Sequence, residues 1–239
     1  MLQVLRLGDV VCCNIIRRTT RFTVEVEVGG SLATAYTNNT GRLLGYLTRG
    51  RVGYCLRARG GRHPLRLVAV EDGEYAALID TRLQEEAFAE AVRQGWLPWL
   101  AECSISKRNP RVGSSVLDLM LDCRGRAAFV ELKSAVMRLE EGFAAYPDAP
   151  TKRGRQQIEH LAGLARQGTR SIVVFIAGIP NARGFKFYCE VDKEICRSVR
   201  KAIEAGVEFR SINLFMDVKS NAIVLGDADL RVDLSCCMQ

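Results

Sequence analysis

The chain of 239 residues has no Cys-x-x-Cys pair and only two histidines, His63 and His160. A zinc knuckle is therefore not expected, and no zinc should co-purify. Neither histidine sits in a recognisable motif, so a Ser-His-Asp hydrolase has little support. No apolar run approaches the roughly 20 residues of a membrane span. The opening "MLQVLRLGDVVCC" lacks the apolar stretch and small-residue cleavage site of a signal peptide. The expectation is a cytoplasmic protein without membrane attachment. Lysine is also scarce: 7 residues against 27 arginines, and none among residues 1–75.

Nine cysteines are present, and their plain reading is as small buried apolar groups. Cys12-Cys13 and Cys236-Cys237 are adjacent pairs near the two termini, and a disulfide joining them is the open alternative. Hydrophobic residues make up 48% of the chain, enough to build a sizeable core in one large domain or two small ones.

The net charge of +7 is unevenly spread: residues 1–75 hold 11 Arg and 6 acids, or +5, which leaves +2 for the rest. Arginine makes forked contacts to phosphate and stacks on bases. A solvated arginine-rich face and a nucleic-acid surface both fit this distribution. The same segment reads as short strands with glycine turns. "FTVEVEV" alternates with period 2 and stops at Gly29-Gly30; "SLATAYT", "RVGYCLRA" and "PLRLVAVE" follow. Short strands of this kind suggest a small five-stranded β-barrel of the OB kind, a common nucleic-acid binder.

After "EDGEY" the pattern changes, which places a domain boundary near residue 75: a basic barrel over 1–75 and an α/β domain over 76–239. Thr81 and Gln84 suit a capping box for a helix that Gly95 stops. Helices are also expected up to Gly168 and over "DKEICRSVRKAIEAG", with "SIVVFIA" a buried strand between them.

Ahead of these lies "SSVLDLMLDCRGRAAFVELKS", which reads as a hairpin turning at Arg124-Gly125. Partners then sum to 249, so Asp118 faces Glu131 and Lys133 faces Val116, while Leu117, Leu119, Leu121, Ala128, Val130 and Leu132 share the opposite, apolar face. Like charges directly opposed destabilise a sheet. A Mg²⁺ or Mn²⁺ ion bridging the carboxylates would offset that cost; the plain alternative is a solvated acidic face neutralised by Lys133. The spacing D-x(12)-E-x-K matches the PD-(D/E)XK nuclease core, in which metal ions polarise a phosphate and activate water. Glu90 borders the inward face of the first helix and could reach a metal, with a solvated helix acid as the alternative.

Several stretches resemble the sugar fermentation stimulation protein (SfsA) family over about residues 15–235. The family's Arg-x-x-Arg-Phe is similar to Arg18–Phe22, and its Pro-Asn-Thr-Gly-Arg/Ala-Met to Asn38–Leu43. Its Ser-Arg-Ile-Asp-Phe resembles Ser115–Leu119, its Glu-Val-Lys resembles Glu131–Lys133, and its Phe-Pro-Asp-Ala-x-Thr-x-Arg-Gly resembles Tyr146–Gly154. This chain departs at Asn38, Val116 and Gln156-Gln157, the last pair standing where the family has Lys-His. The resemblance implies an OB-like N-terminal barrel, a C-terminal α/β PD-(D/E)XK nuclease-like domain, DNA binding and a link to sugar metabolism; the family's helix acid falls on Glu90.

The combined expectation is a DNA-binding protein with a divalent-metal nuclease site of Asp118, Glu131, Lys133 and Glu90. Arg18, Arg21, Arg42, Arg153 and Gln157 would hold DNA. Asp148 in "YPDA" is expected to cap a turn. A catalytically inactive DNA-binding regulator of sugar metabolism genes is the alternative.

Overall fold

The computed structural model describes residues 1–58, 60, 62–113 and 115–238. Arg59 of the arginine-rich stretch and Ser114 at the head of the hairpin lie outside the described residues. In chain order the N-terminal strands are β1 (Leu2–Arg6), β2 (Val10–Thr20), β3 (Thr23–Val28), β4 (Ser31–Tyr36), β5 (Val52–Arg57), β6 (Leu65–Asp72) and β7 (Tyr75–Leu78). Strands β2 to β6 form a closed five-strand barrel in the order β4-β3-β2-β5-β6, sealed where β4 runs parallel to β6 with Ala35 beside Leu65. The period-2 pattern in β3 places Val24 and Val26 in the barrel core and Glu25 toward the outside. Closure requires close approach at Gly53, where a Cβ would sit 2.8 Å from Leu67 Cδ1 and 2.9 Å from Cys13 Sγ.

Strand β1 leaves the barrel altogether. It pairs antiparallel with Ala222–Asp227 near the other end of the sequence, so the first residues belong to the second layer rather than to the barrel.

The second half continues with α1 (Thr81–Arg93), β8 (Cys103–Arg108), β9 (Arg111–Val112), β10 (Ser115–Val116), β11 (Leu119–Cys123), β12 (Arg126–Ala135), β13 (Met137–Arg138) and β14 (Ala144–Tyr146). Then come α2 (Lys152–Arg166), β15 (Arg170–Ala177), β16 (Phe185–Phe187), α3 (Lys193–Glu204), β17 (Glu208–Asp217), β18 (Ala222–Asp227) and β19 (Val232–Asp233). The main sheet runs β1-β18-β17-β15-β12-β11-β8, with β12, β15 and β17 mutually parallel. Helix α1 packs on one face, against Leu119, Val130, Ile172 and Val174. Helices α2 and α3 cover the other, which merges with the barrel core through Val173, Phe175 and Ala135. Parallel central strands are covered on both faces, as such strands usually are.

Helix starts differ in one detail from the sequence reading. Asp80, not Thr81, caps α1: its Oδ1 accepts from Leu83 N at 2.9 Å, while Gln84 donates to Leu78 O at 2.7 Å. An aspartate is among the best N-caps, and this one is fully buried with Arg66 Nε at 3.1 Å and Asn38 Nδ2 at 2.9 Å. No helix among the described residues is long and apolar enough to cross a membrane.

The terminal cysteine pairs are not joined. Cys13 faces Cys55 inside the barrel at 3.6 Å, and Cys103 forms a disulfide with its cross-strand neighbour Cys123.

Candidate metal centre in the interdomain cleft

The turn at Arg124-Gly125 forms as expected, with both residues at positive φ, the arrangement of a type I′ hairpin. The register also holds: Leu119 pairs with Val130 and Leu121 with Ala128, each summing to 249. The ladder ends at Leu119, however. Ser115–Val116 pair instead with Arg111–Val112, and the chain bends through Leu117-Asp118. Asp118 is therefore not a ladder partner of Glu131, and Lys133 does not face Val116. Its neighbour is Phe175 on the parallel strand β15, while Glu131 lies beside Val173. Leu117 is buried in the cluster shared with α2 and the barrel, not with Leu119 and Leu121.

The bend places the Asp118 carboxylate over the start of the β12 charged segment, where Oδ2 accepts the Leu132 N–H at 2.6 Å. The face carrying Glu131 and Lys133 is not solvated: these residues are 2% and 7% exposed. Lys133 Nζ donates to Glu131 Oε1 at 2.6 Å and to Gln157 Oε1, from α2, at 2.7 Å. The second carboxylate oxygen, Glu131 Oε2, is buried without any donor.

Burial is the dominant electrostatic influence. It pushes the Glu131 carboxyl up to about 7, against the pull of Lys133, and Asp118 adds to the rise. Asp118 is raised by burial as well, although the Leu132 N–H, Lys133 and Arg153 oppose this. Burial alone would lower the Lys133 ammonium, yet Glu131, Tyr146 and Asp118 together outweigh it and the net shift is upward. Two partly desolvated carboxylates and one unpaired buried oxygen form an oxygen-rich site deficient in positive charge. Hard divalent cations such as Mg²⁺ and Mn²⁺ match that donor set.

These groups line a cleft of about 420 Å³ between barrel and α/β domain, together with Arg21, Asn38–Gly41, Tyr146–Thr151, Arg153 and Gln157. Arg21 and Arg153 are exposed at its walls. Asp148 does more than cap a turn. Its Oδ2 accepts the Leu43 N–H at 3.0 Å, and the Gly41 backbone lies so close that a Cβ there would collide with the same oxygen. The carboxylate thus fixes the barrel's 38–43 loop as one wall of the cleft. At the other wall, Thr151 caps α2 through Gly154 N at 3.1 Å, and Asp192 accepts from Thr151 N at 2.9 Å and ion-pairs with Arg155.

Three expected site residues are elsewhere. Glu90 pairs with Arg93 at 2.6 Å and accepts from Gln94 Nε2 at 2.8 Å, away from the cleft. A residue seven positions past Leu83 lies on the same face of α1 but about two turns further along its axis; the helix acid facing Asp118 is Glu85, which shares a cavity with it. Burial raises Glu85, Asp118 raises it further, and Arg108 at 3.0 Å opposes both. Arg18 spends its guanidinium on backbone carbonyls of the loop, including Asn39 at 2.8 Å, Arg21 and Gly41. It holds the cleft wall together rather than presenting free donors. Arg42 borders a neighbouring cavity with Tyr46, Asp72 and Arg138.

Comparison with known proteins agrees with this architecture. The model of the sugar fermentation stimulation protein RE domain matches residues 82–220, and that of the SfsA N-terminal OB domain matches 16–79. The chain belongs to the sugar fermentation stimulation protein family. A sugar fermentation stimulation protein homolog of Pyrococcus furiosus is 39% identical over 97% of this chain and all of its own length. One from Archaeoglobus fulgidus is 40% identical, with 97% and 99% covered. The solved structure of Pyrococcus furiosus SfsA in complex with Ca²⁺ superposes with a TM-score of 0.93 at 39% identity, covering 98% of this chain and all of that one. This SfsA-family chain therefore joins an OB barrel to the family's α/β RE domain.

One further grouping has no counterpart in the sequence pattern. Cys189, Cys196, Cys236 and Cys237 converge, with all four Sγ atoms within 4.8 Å of one another. The expectation of no zinc rested on the missing Cys-x-x-Cys; these sulfurs come from three separated segments, and no sequence spacing signals their approach.

Proposed function

We propose that this SfsA-family protein binds DNA in the interdomain cleft and hydrolyses phosphodiester bonds with a Mg²⁺ or Mn²⁺ ion held by Asp118 and Glu131. The observation carrying this reading is the buried, donorless Glu131 Oε2 beside Asp118 at the floor of a cleft walled by Arg21 and Arg153. A buried carboxylate oxygen without a partner is costly unless a cation or proton meets it. When bound, the ion would supply Lewis acidity toward phosphate and lower the pKa of water. Lys133, oriented by Glu131 and Gln157, holds a positive charge where a nucleophilic water or a phosphate oxygen would sit. Glu85 faces Asp118 and is placed to complete the oxygen set. Arg21 and Arg153 contact phosphate, and Gln157 positions Lys133.

A second reading is a DNA-binding regulator of sugar metabolism genes that does not cut. It draws on the Lys133–Glu131 ion pair, which neutralises much of the buried charge without metal. The two readings separate in a cleavage assay with labelled single-stranded, duplex and branched DNA, with and without Mg²⁺ or Mn²⁺. The nuclease reading expects metal-dependent products from wild type. It also expects loss of cleavage, with binding retained, in Asp118→Asn and Lys133→Ala. Tight binding without products on any DNA form would favour the regulator.

A further inference from the structure

We propose that Cys189, Cys196, Cys236 and Cys237 bind one zinc ion as a tetrathiolate that fixes the C-terminal turn to α3. Cys189 follows β16, Cys196 lies in the first turn of α3, and Cys236 and Cys237 stand in a single 3₁₀ turn, Ser235–Cys237. Cys237 is fully buried and Cys196 is 8% exposed. The Cys189 sulfur lies at bonding distance from both Cys196 and Cys236. A sulfur forms only one disulfide, so at most one of these two contacts is a covalent bond, and what all four sulfurs share is their convergence within 4.8 Å.

Two of the remaining spacings match the edges of a single tetrahedral centre, and the third, to Cys196, is shorter. Cys237 Sγ is 3.8 Å from Cys189, 3.9 Å from Cys236 and 3.0 Å from Cys196. With Zn–S bonds of about 2.3 Å, a tetrahedron has sulfur–sulfur edges of about 3.8 Å. A polynuclear iron–sulfur cluster holds its thiolates much farther apart and does not fit. Each thiol would release its proton to solvent as the sulfur binds, leaving a dianionic centre. Arg200, whose Nε donates to the Cys237 carbonyl at 3.0 Å, sits beside it as a counter-charge. The ligands also lie next to the cleft's framework: Asp192, four residues before Cys196, accepts from Thr151 at the start of α2. Zinc here would brace the helix that carries Arg153 and Gln157, a structural role distinct from the Mg²⁺ or Mn²⁺ site.

The test uses the untagged full chain, purified in reductant without chelator. Elemental analysis should find about one zinc per chain. Apo protein titrated with Co²⁺ should develop the intense visible bands of tetrahedral cobalt thiolate, saturating at about one equivalent. Cys237→Ser should abolish those bands, while Cys12→Ser, whose residue is exposed and outside the group, should keep them. Removing zinc should lower the unfolding midpoint by about 5 °C or more. The proposal is overturned if the reduced wild type takes up neither zinc nor cobalt. It is equally overturned if alkylation shows the four sulfurs of the reductant-purified chain locked in two disulfides, such as Cys189–Cys236 with Cys196–Cys237.

Discussion

Lys133 Nζ stands 2.6 Å from Glu131 Oε1, two residues away along one buried strand, while Glu131 Oε2 meets no donor at all. The carboxylate is half satisfied, and burial holds its proton up to about pH 7 rather than the ordinary 4.5. Between those values the folded state binds more protons than the unfolded state, so stability falls as pH rises across the window. The full contribution is present below about pH 4.5 and lost above about 7. A shift of this size corresponds to something on the order of 3 kcal/mol. Urea unfolding of metal-free protein from pH 4.5 to 8 should show that decline, and Glu131→Gln should flatten it. Saturating Mn²⁺ should stabilise the wild type most at pH 7–8 and progressively less toward pH 5, as protons compete for the carboxylate.

The two helix acids separate cleanly. Glu85 shares the Asp118 cavity and Glu90 is engaged by Arg93 and Gln94. Calorimetric titration with Mn²⁺ should therefore show at least about tenfold weaker binding in Glu85→Gln, and unchanged binding in Glu90→Gln. Equal effects would return Glu90 to the site.

Arginines in the barrel divide in the same way. Arg18 is committed to carbonyls, so Arg18→Ala should cost stability, about 1–3 kcal/mol for the unsatisfied groups it leaves. Arg21 and Arg153 are exposed at the cleft. Their alanine variants should fold normally and weaken binding on all DNA sequences alike. The slope of log K against log salt should become shallower by about 0.7–0.9 for each phosphate left without its arginine. Fluorescence anisotropy at several salt concentrations reads both effects.

Gly41 and Asp148 join the two domains by close approach. A methyl at Gly41 would press on a carboxylate already holding Leu43 N. Gly41→Ala should destabilise by about 1–3 kcal/mol, as overpacking does. Combined with Asp148→Ala, its cost should shrink by more than about 0.5 kcal/mol, since the clash partner is gone. Additive costs in a double-mutant cycle would show that the two do not meet.

Much of this was legible in the residues. Alternation in "FTVEVEV" and the Gly29-Gly30 stop define barrel strands, and Arg124-Gly125 sets the hairpin register because a type I′ turn needs two positive φ values. What was not legible depended on tertiary coverage. Period 2 distinguishes two faces but not whether the second is also covered; α2 and the barrel bury Glu131 and Lys133, which local sequence does not reveal. The strand break at Leu117-Asp118 follows from β9 capturing Ser115–Val116. Helical spacing alone does not separate Glu85 from Glu90; only the position of Asp118 does. Arg18 reads as a free cation in sequence because its carbonyl acceptors come from residues up to 24 positions away.

The most direct test of the metal site is thermal unfolding of wild type and Asp118→Asn at pH 7.5, with and without Mn²⁺, on protein also assayed for DNA cleavage. The metal-site account predicts a Mn²⁺-dependent rise in the wild-type midpoint of several degrees, about 2.7 kcal/mol at a hundredfold excess over Kd. Asp118→Asn should show little rise and no cleavage, and without metal it should be slightly more stable than wild type, because the like charge that raises Glu131 is removed. If Mn²⁺ and Mg²⁺ shift neither protein and wild type cuts no form of DNA, Asp118 and Glu131 do not hold a catalytic ion and the account fails.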